Sequence, residues 1–355
     1  MHVLESGYET ADRPIILLLH GFPELAYSWR KIMLPLAEAG YHVVAPDQRG
    51  YGRTTGWNPD YDGDLAPFRL LNLVRDMVAL ISALGYSSVK TVAGHDFGSA
   101  VAAYCALVRP DFFQSVVLMS APFDGPPGFA NSNAADQPGG SKADITESLL
   151  NLKPARKHYR HYYCGRSAEA DMFKPKQGLA NFLRAYFHYK SADWPGNQPF
   201  PLKSWEASEL AKMPTYYIME AGLNMAETVA AFLPDDAESD NCPWLSNAEL
   251  QFYVNEFGRT GFQGGLQWYR CSFDPGQINE LCLYTGSRIQ VPACFIAGQN
   301  DWGIYQAPGA FEKMQNETCT QMVRCELVGN AGHWVQQEQP EAVVGVMLEF
   351  LSGTE

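Results

Sequence analysis

The chain has 355 residues, of which 46% are hydrophobic, 13% aromatic and 18% charged. This composition excludes a disordered or coiled-coil chain, and the length predicts one large α/β domain or a core domain with an insertion. The 39 acidic residues outnumber the 26 basic ones and give a formal net charge of -13, which argues against nucleic-acid binding.

Short apolar runs and helical patterns alternate in the first third of the chain. The runs at 14–19, 42–45, 89–93 and 115–119 have the composition of buried parallel strands. Between them, the spacing of apolar residues predicts one helix that ends at Gly85, and an apolar stretch predicts another after residue 96. This alternation indicates a mostly parallel sheet with helices on both faces.

The pattern changes after residue 120 and returns near the end of the chain. A loop-rich stretch is followed by a largely helical, aromatic-rich segment up to residue 287, and strand–helix alternation then resumes. We therefore predict a core domain in two parts, 1–124 and 288–355. Residues 125–287 are predicted to form an inserted helical cap with a connecting loop.

The sequence AGHDFG at 93–98 lies between a predicted strand and a predicted helix. Glycines at 94 and 98 permit the tight turn of a nucleophile elbow, whose central residue here is Asp96 rather than serine. A carboxylate is a poor nucleophile toward esters and amides because its product would be an anhydride, but it can displace at a saturated carbon to form an ester. We predict that Asp96 is a nucleophile, whereas the simpler alternative is an N-cap of the following helix.

Two polar residues follow the later predicted strands. Asp301 and His333 each come shortly after a strand, at the carboxyl end where open α/β sheets bind ligands. The order nucleophile, acid, histidine is that of a known hydrolase triad. We predict that Asp301 orients His333 and that His333 activates water. Asp124, which follows the run at 115–119, stays open as the alternative acid.

The sequence HGFP at 20–23 follows the first buried strand. The backbone N–H groups of Phe22 and Phe97 are predicted to point at one oxygen of the Asp96 carboxyl group. They would then form an oxyanion hole when water attacks an ester at that position. Pro23 is predicted to fix the turn, with a cis peptide bond before it.

Six segments together resemble those of epoxide hydrolases of the α/β-hydrolase fold. The resemblance spans nearly the whole chain and implies an α/β-hydrolase core with a mostly parallel sheet and an inserted helical cap. It also implies hydrolysis of an epoxide to a vicinal diol through an alkyl-enzyme ester, without a cofactor or a metal. The segments are HGFPE at 20–24, SWR at 28–30, DQRGYG at 47–52, GHDFG at 94–98, GQND at 298–301 and GHW at 332–334.

The same family requires two cap tyrosines, whose hydroxyls hydrogen-bond the epoxide oxygen as the ring opens. The sequence GGLQWYR at 264–270 is similar to the second tyrosine motif of the family and implies Tyr269. The early cap sequence YRHYY implies Tyr159 as the first, and Tyr162 and Tyr163 are the alternatives that stay open.

The expected partners are a small apolar or aromatic epoxide and water. Trp268, Trp334 and Pro23 are predicted to border the substrate pocket. The sequence predicts no nucleic-acid partner, and no apolar run approaches the roughly 20 residues of a membrane span. The eight cysteines form no CxxC pair, which favours a reduced, cytoplasmic chain. The sequence leaves the oligomeric state open.

Two other functions remain as alternatives. A haloalkane or haloacid dehalogenase resembles this fold and also uses an aspartate nucleophile, but Phe22 and Phe97 carry no side-chain N–H to hold a halide. Arg49 is a candidate cation for the carboxylate of a haloacid. A non-catalytic ligand-binding protein of the same fold has no need of a water-activating pair, so the complete triad argues against it.

Overall fold

The structure, a computed structural model, describes residues 1–128 and 142–354. Seven strands of this part form one sheet and two strands form a small separate sheet. The strands are β1 (Val3–Ser6), β2 (Ile15–Leu19), β3 (His42–Pro46), β4 (Thr91–His95), β5 (Val116–Met119), β6 (Arg156–His158), β7 (Ile218–Glu220), β8 (Ala293–Gly298) and β9 (Met322–Val328).

The helices of the described residues fall into two groups. Those that flank the large sheet are α1 (Arg30–Glu38), α2 (Leu70–Ala83) and α3 (Phe97–Val108), and after β8 come α14 (Ala310–Lys313), α15 (Val335–Glu338) and α16 (Pro340–Ser352). Those between β5 and β8 are α4 (Lys142–Leu150), α5 (Tyr159–Tyr163), α6 (Ala168–Phe173), α7 (Leu179–Lys190), α8 (Ala207–Leu210), α9 (Met225–Ala230), α10 (Asp236–Asp240), α11 (Asn247–Thr260), α12 (Gln263–Cys271) and α13 (Pro275–Cys282). We call residues 142–282 the helical segment.

The large sheet has the strand order β1–β3–β2–β4–β5–β8–β9. Only β1 is antiparallel to its neighbour, and all other neighbours are parallel. Parallel neighbours bring their carboxyl ends to the same edge of the sheet. The loops that follow β2, β4, β5, β8 and β9 therefore meet there, and these loops carry the predicted site residues.

Alternate side chains of the strands enter two different cores. On β2, Ile16 and Leu18 face one core, which α1 and α16 cover. Ile15 and Leu17 face the other core, which includes residues of α2, α3 and the helical segment. This period of two is why the central strands β2 and β5 are apolar throughout: both of their faces are buried. Each fully buried large apolar side chain stabilises the fold by about 2 kcal/mol.

The helical segment lies against the core at several points. The guanidinium of Arg30 donates from Nε to Glu249 of α11 at 2.8 Å. A Cβ atom on Gly264 of α12 would collide with the backbone of Gly50, so only glycine permits this close approach. Within the described residues, no helix is both long enough and apolar enough to cross a membrane.

The structure confirms the predicted strand–helix alternation and the largely helical segment, with three differences. The predicted strand at 89–93 begins two residues later and extends through Gly94 and His95. The last two strands, predicted at 289–297 and 325–328, span Ala293–Gly298 and Met322–Val328. The small sheet of β6 and β7 was not predicted at all. The part of the predicted connecting loop at 129–141 lies outside the described residues.

Candidate active site

Asp96 occupies a sharp turn between β4 and α3. Its backbone has φ 52° and ψ -120°, a conformation that residues with a side chain rarely adopt. A Cβ atom on Gly94 would collide with the carbonyl of Gly98, so the turn depends on glycine at both positions. This strained turn places the Asp96 side chain at the carboxyl edge of the sheet, as the elbow sequence predicts.

The structure brings Asp96, His333 and Asp301 together. His333 Nδ1 lies 3.1 Å from Asp301 Oδ1, and His333 Nε2 lies 3.4 Å from Asp96 Oδ2. The second distance is longer than an ordinary hydrogen bond, and among the described residues Nε2 has no hydrogen-bond partner. The imidazole is therefore held from the Asp301 side and presents its other nitrogen toward Asp96.

The charges around Asp96 favour its ionised form. Burial by itself would raise the pKa of this carboxyl group, but the nearby imidazole of His333 outweighs it, with help from Lys190 and His95. The pKa of Asp96 is consequently held well below its ordinary value. Burial also opposes the charge of Asp301, whose pKa is lowered by His333, by the hydroxyl of Ser120 and by a backbone N–H. Both carboxylates are thus ionised at neutral pH.

Ser120 is a member of this cluster that the sequence analysis missed. Its hydroxyl donates to Asp301 Oδ2 and lies 2.8 Å from His333 Nδ1. Ser120 follows β5 and has a φ of 70°, so its side chain reaches the neighbouring strand end. Asp124, the alternative acid, is exposed in the loop beyond Ser120 and makes no ion pair with His333. Of the two candidate acids, Asp301 is the one in contact with the imidazole.

Of the two predicted oxyanion donors, Phe22 contacts the Asp96 carboxyl group, and Phe97 makes no hydrogen bond to it within residues 1–128 and 142–354. The backbone N–H of Phe22 donates to Asp96 Oδ1 at 3.1 Å. Phe97 is the first residue of α3, and its N–H therefore has no acceptor within the helix. The peptide bond between Phe22 and Pro23 is cis, as predicted. With Oδ1 held by Phe22, the oxygen that is left to react is Oδ2.

Tyr159 and Tyr269 come together from two separate helices, α5 and α12. Their ring centroids are 6.0 Å apart, and the Tyr269 ring meets those of Phe22 and Phe97 edge-on at 5.5 and 5.3 Å. Burial raises the pKa of both hydroxyls, and the charge of Asp96 raises it further. The two phenols therefore stay protonated within electrostatic reach of Asp96.

The alternatives for the first tyrosine have other contacts. The hydroxyl of Tyr163 lies 3.0 Å from that of Tyr186, and the hydroxyl of Tyr162 donates to Asp171. Tyr159 instead donates to Gln306 Oε1 at 3.0 Å and accepts a hydrogen bond from Arg160. Neither partner of Tyr159 was found from the sequence, because no motif marks Gln306, which lies in a distant loop, or shows that the Arg160 side chain folds back onto its neighbour.

The predicted pocket residues Trp268, Trp334 and Pro23 are all buried. The indole of Trp268 contacts Phe97 edge-on and donates to the carbonyl of Arg49. The indole of Trp334 lies against His333 and donates to a backbone carbonyl of α7. Trp268 thus packs against Phe97 and Trp334 packs against His333. Contact of either tryptophan with a substrate stays a prediction.

A second network of buried polar side chains contacts the His333 loop. His95 Nδ1 lies 2.6 Å from Glu24 Oε2, and its Nε2 lies 2.6 Å from the carbonyl oxygen of His333. Gln336 donates to the other oxygen of Glu24. The Nζ of Lys190 lies between 5.1 and 5.7 Å from the centroids of four aromatic rings, one of them Trp334. The hydrogen bonds of His95 and Gln336 connect Glu24 with the His333 loop and hold that loop in place.

Comparison with known proteins agrees with this geometry. A family model described as the alpha/beta hydrolase fold matches residues 14–340. Epoxide hydrolase B of Mycobacterium tuberculosis is 32% identical over 364 residues, which cover 99% of this chain and 95% of that protein. Epoxide hydrolase A of the same organism is 33% identical over 371 residues, which cover 100% and 95%.

Solved structures give the same result. An epoxide hydrolase from an endophytic Streptomyces superposes with a TM-score of 0.76 at 28% identity, covering 99% of this chain and 92% of that one. Potato epoxide hydrolase I superposes with a TM-score of 0.72 at 29% identity, covering 99% and 95%. The chain therefore belongs to the epoxide hydrolases of the α/β-hydrolase fold.

Proposed function

We propose that this protein hydrolyses an apolar or aromatic epoxide to a vicinal diol through an ester on Asp96. The observation that carries the proposal is the arrangement around that carboxylate. A water-activating pair, His333 with Asp301, lies beside it, and two buried phenols, Tyr159 and Tyr269, lie close enough for the charge of Asp96 to raise their pKa. The first pair serves ester hydrolysis and the second serves ring opening. Membership of the epoxide hydrolase family supports the same reaction.

In the first step, Asp96 Oδ2 attacks one carbon of the oxirane ring and the bond from that carbon to the epoxide oxygen breaks. Tyr159 and Tyr269 hydrogen-bond the departing oxygen and supply its proton. The charge of Asp96 is lost when the ester forms, and the part of the tyrosine pKa shift that this charge causes is lost with it. Proton transfer from a phenol therefore becomes easier as the ring opens.

In the second step, His333 takes a proton from water, and the resulting hydroxide attacks the carboxyl carbon of the ester. The negative charge develops on Oδ1, to which the backbone N–H of Phe22 already donates. The N–H of Phe97, the residue after Asp96, is the second proposed donor. The tetrahedral centre then collapses, the bond to the alkyl oxygen breaks, and protonated His333 returns its proton to that oxygen. The diol leaves, and the proton that remains on the Asp96 carboxyl group passes to the tyrosinate formed in the first step, which restores both the carboxylate and the phenol.

Incubation of the purified protein with styrene oxide tests this proposal. We expect 1-phenylethane-1,2-diol as the product, detected by chromatography, and no halide release from 1-chlorobutane or chloroacetate. The indole N–H groups of Trp268 and Trp334 donate to backbone carbonyls, and Arg49 forms a two-point ion pair with Asp76. The two indoles are therefore not available to a halide, and Arg49 is not available to the carboxylate of a haloacid. Halide release without diol formation would favour a dehalogenase.

Replacing each cap tyrosine by phenylalanine tests the donors of the first step. We expect Tyr159→Phe and Tyr269→Phe each to lower the rate of ester formation about 100-fold, the usual contribution of a general acid. The rate is measured by stopped-flow fluorescence in a single turnover. Tyr163→Phe is the matched control, because it loses only the contact with Tyr186 and should keep its rate. A loss in Tyr163→Phe equal to that of Tyr159→Phe would contradict the assignment.

The rate of ester formation should not fall on the alkaline side until well above neutral pH. Because burial and the charge of Asp96 raise the pKa of Tyr159 and Tyr269 above that of an ordinary tyrosine, both donors remain protonated through about pH 10. Single-turnover rates of ester formation, measured from about pH 6 to about pH 10, check this prediction. A fall with a midpoint below about pH 9 would show that the required proton donor is another group.

Replacing each of the two candidate acids by asparagine tests which of them orients His333. We expect Asp301→Asn to slow ester hydrolysis about 1,000-fold or more, because an amide no longer stabilises the protonated imidazole. Asp124→Asn should leave that rate within about twofold, since Asp124 is exposed and away from the imidazole. The decay of the ester is followed after rapid mixing. Equal losses in the two variants would contradict the assignment of Asp301.

We further propose that residues 1–124 and 288–355 act as one catalytic core and residues 125–287 as a cap over it. The contact of Tyr269 with Phe22, across the two parts, supports this division because each part supplies one half of the site. A small epoxide and water are the proposed partners.

A further inference from the structure

Arg160 follows Tyr159 on α5 and lies beside the proposed site of ring opening. Its Nε donates to the hydroxyl of Tyr159 at 3.2 Å, and its guanidinium carbon lies 5.8 Å from the centroid of that ring. The Tyr159 side chain is buried, whereas Arg160 is exposed. Arg160 therefore lies where the buried catalytic cluster opens to solvent.

This guanidinium differs from the other arginines near the site. Arg49 is bound through two nitrogens to Asp76, and Arg270 donates to Gln267 and to a backbone carbonyl. Across residues 1–128 and 142–354, Arg160 forms no ion pair, and its two terminal amino groups make no hydrogen bond. Both amino groups are thus available to a ligand.

The electrostatic surroundings of Arg160 also matter for the substrate. Tyr159, followed by Tyr269 and Asp96, raises the pKa of the Arg160 guanidinium, which places these groups within electrostatic reach of one another. An anionic substrate would be repelled by the ionised Asp96 unless a cation compensated for it. Arg160 is the side chain that supplies this cation at the open side of the phenols.

We propose that Arg160 binds a carboxylate on the substrate, so that the preferred substrates are epoxides of carboxylic acids rather than neutral epoxides. This rests on the proposed function, because it refines the substrate class of the same site. The carboxylate must lie close to the oxirane ring, since Arg160 Nε is 3.2 Å from the hydroxyl that hydrogen-bonds the epoxide oxygen. A 2,3-epoxy acid with an aryl group at carbon 3 has its carboxylate next to the oxirane ring and is also an aromatic epoxide, as the proposed function requires.

The chemistry of the guanidinium fits this ligand. Its planar fork matches a carboxylate at two points, and such charge-assisted pairs are stronger than hydrogen bonds between neutral groups. Arg160 is exposed, so water and salt screen part of the attraction. We therefore expect the pair to raise kcat/KM for the acid about 10- to 100-fold relative to a matched neutral substrate.

The test compares 3-phenylglycidate with 3-phenylglycidol, which carries a hydroxyl where the acid carries a carboxylate. Arg160→Gln removes the charge but keeps an N–H group for the Tyr159 hydroxyl. We expect this variant to lose at least about 10-fold more kcat/KM with the acid than with the alcohol, mainly through KM. Arg160→Lys, which keeps the charge without the fork, should lose less.

Arg166→Gln is the control for a change in net charge. Arg166 lies on the same stretch of chain but is exposed and paired with Asp62, so both substrates should keep their kcat/KM. Equal losses for acid and alcohol in Arg160→Gln would overturn the proposal and leave Arg160 acting only through Tyr159. Failure of the proposed function looks different, since the unaltered protein would then form a diol from neither substrate.

Discussion

Asp96→Asn should abolish diol formation, lowering kcat about 10,000-fold or more. An amide oxygen is a far weaker nucleophile than a carboxylate, and the charge that His333, His95 and Lys190 favour at this position is lost with it. Diol is measured by chromatography with styrene oxide over several hours. Mass spectrometry of the recovered protein verifies that the asparagine is still present, because its hydrolysis would restore the aspartate.

Asp124→Asn is the matched control for this variant. It makes the same chemical change at an exposed position on the same side of the sheet and should keep at least half of the kcat. Circular dichroism melting curves of both variants separate a loss of activity from a loss of fold. Turnover by Asp96→Asn at the rate of the unaltered protein would exclude the ester mechanism.

His333→Gln should separate the two steps of the reaction. Ester formation needs Asp96 and the two tyrosines, whereas ester hydrolysis needs a group that takes a proton from water, so we expect the ester to accumulate. Hydrolysis of the ester should slow about 10,000-fold, so each molecule of the variant should react with only one molecule of epoxide. Intact-protein mass spectrometry then detects an added mass equal to the epoxide, and peptide mapping places it on Asp96.

The control for this variant is His188→Gln. His188 lies on α7 at a separate surface cavity of about 240 Å³, lined also by Arg184 and Asp193. This variant should turn over normally and accumulate no ester. If His333→Gln instead left the protein unlabelled and inactive, His333 would be required for the first step and the division of labour proposed here would be wrong.

The features that the sequence predicted well are local. A strand, a turn that needs glycine at 94 and 98, and an apolar helix follow one another within a few residues, so the elbow at Asp96 can be inferred without the rest of the chain. The same is true of Phe22, which directly follows a buried strand. For Asp301 and His333, the order of strands along the chain was sufficient, because parallel strands end at the same edge.

The features that the sequence did not predict depend on contacts between distant segments. Ser120 reaches Asp301 and His333 only because β5 and β8 are neighbours in the sheet and because its φ is positive. Gln306 reaches the hydroxyl of Tyr159 from a distant part of the chain, and Arg160, its neighbour on α5, folds its side chain back onto the same hydroxyl. No spacing rule relates such residues, and each one alone is an ordinary polar side chain.

The errors at strand boundaries have a similar cause. The small sheet of β6 and β7 has three residues in each strand, too few for alternation to be recognised, and β6 is the basic sequence RKH. At the end of β4, Gly94 and His95 are residue types that strands seldom contain. The sheet includes them because their backbones pair with β5, where Gly94 lies opposite Leu118.

The central claim, an ester on Asp96, is tested most directly by one turnover in water enriched in oxygen-18. Protein in excess over epoxide is allowed to react once, and both the diol and the peptide containing Asp96 are analysed by mass spectrometry. Because water attacks the carboxyl carbon of the ester, the first diol should contain no label and the Asp96 carboxyl group should gain one labelled oxygen. Label in the first diol and none in Asp96 would mean that water attacks the epoxide directly, which contradicts the mechanism.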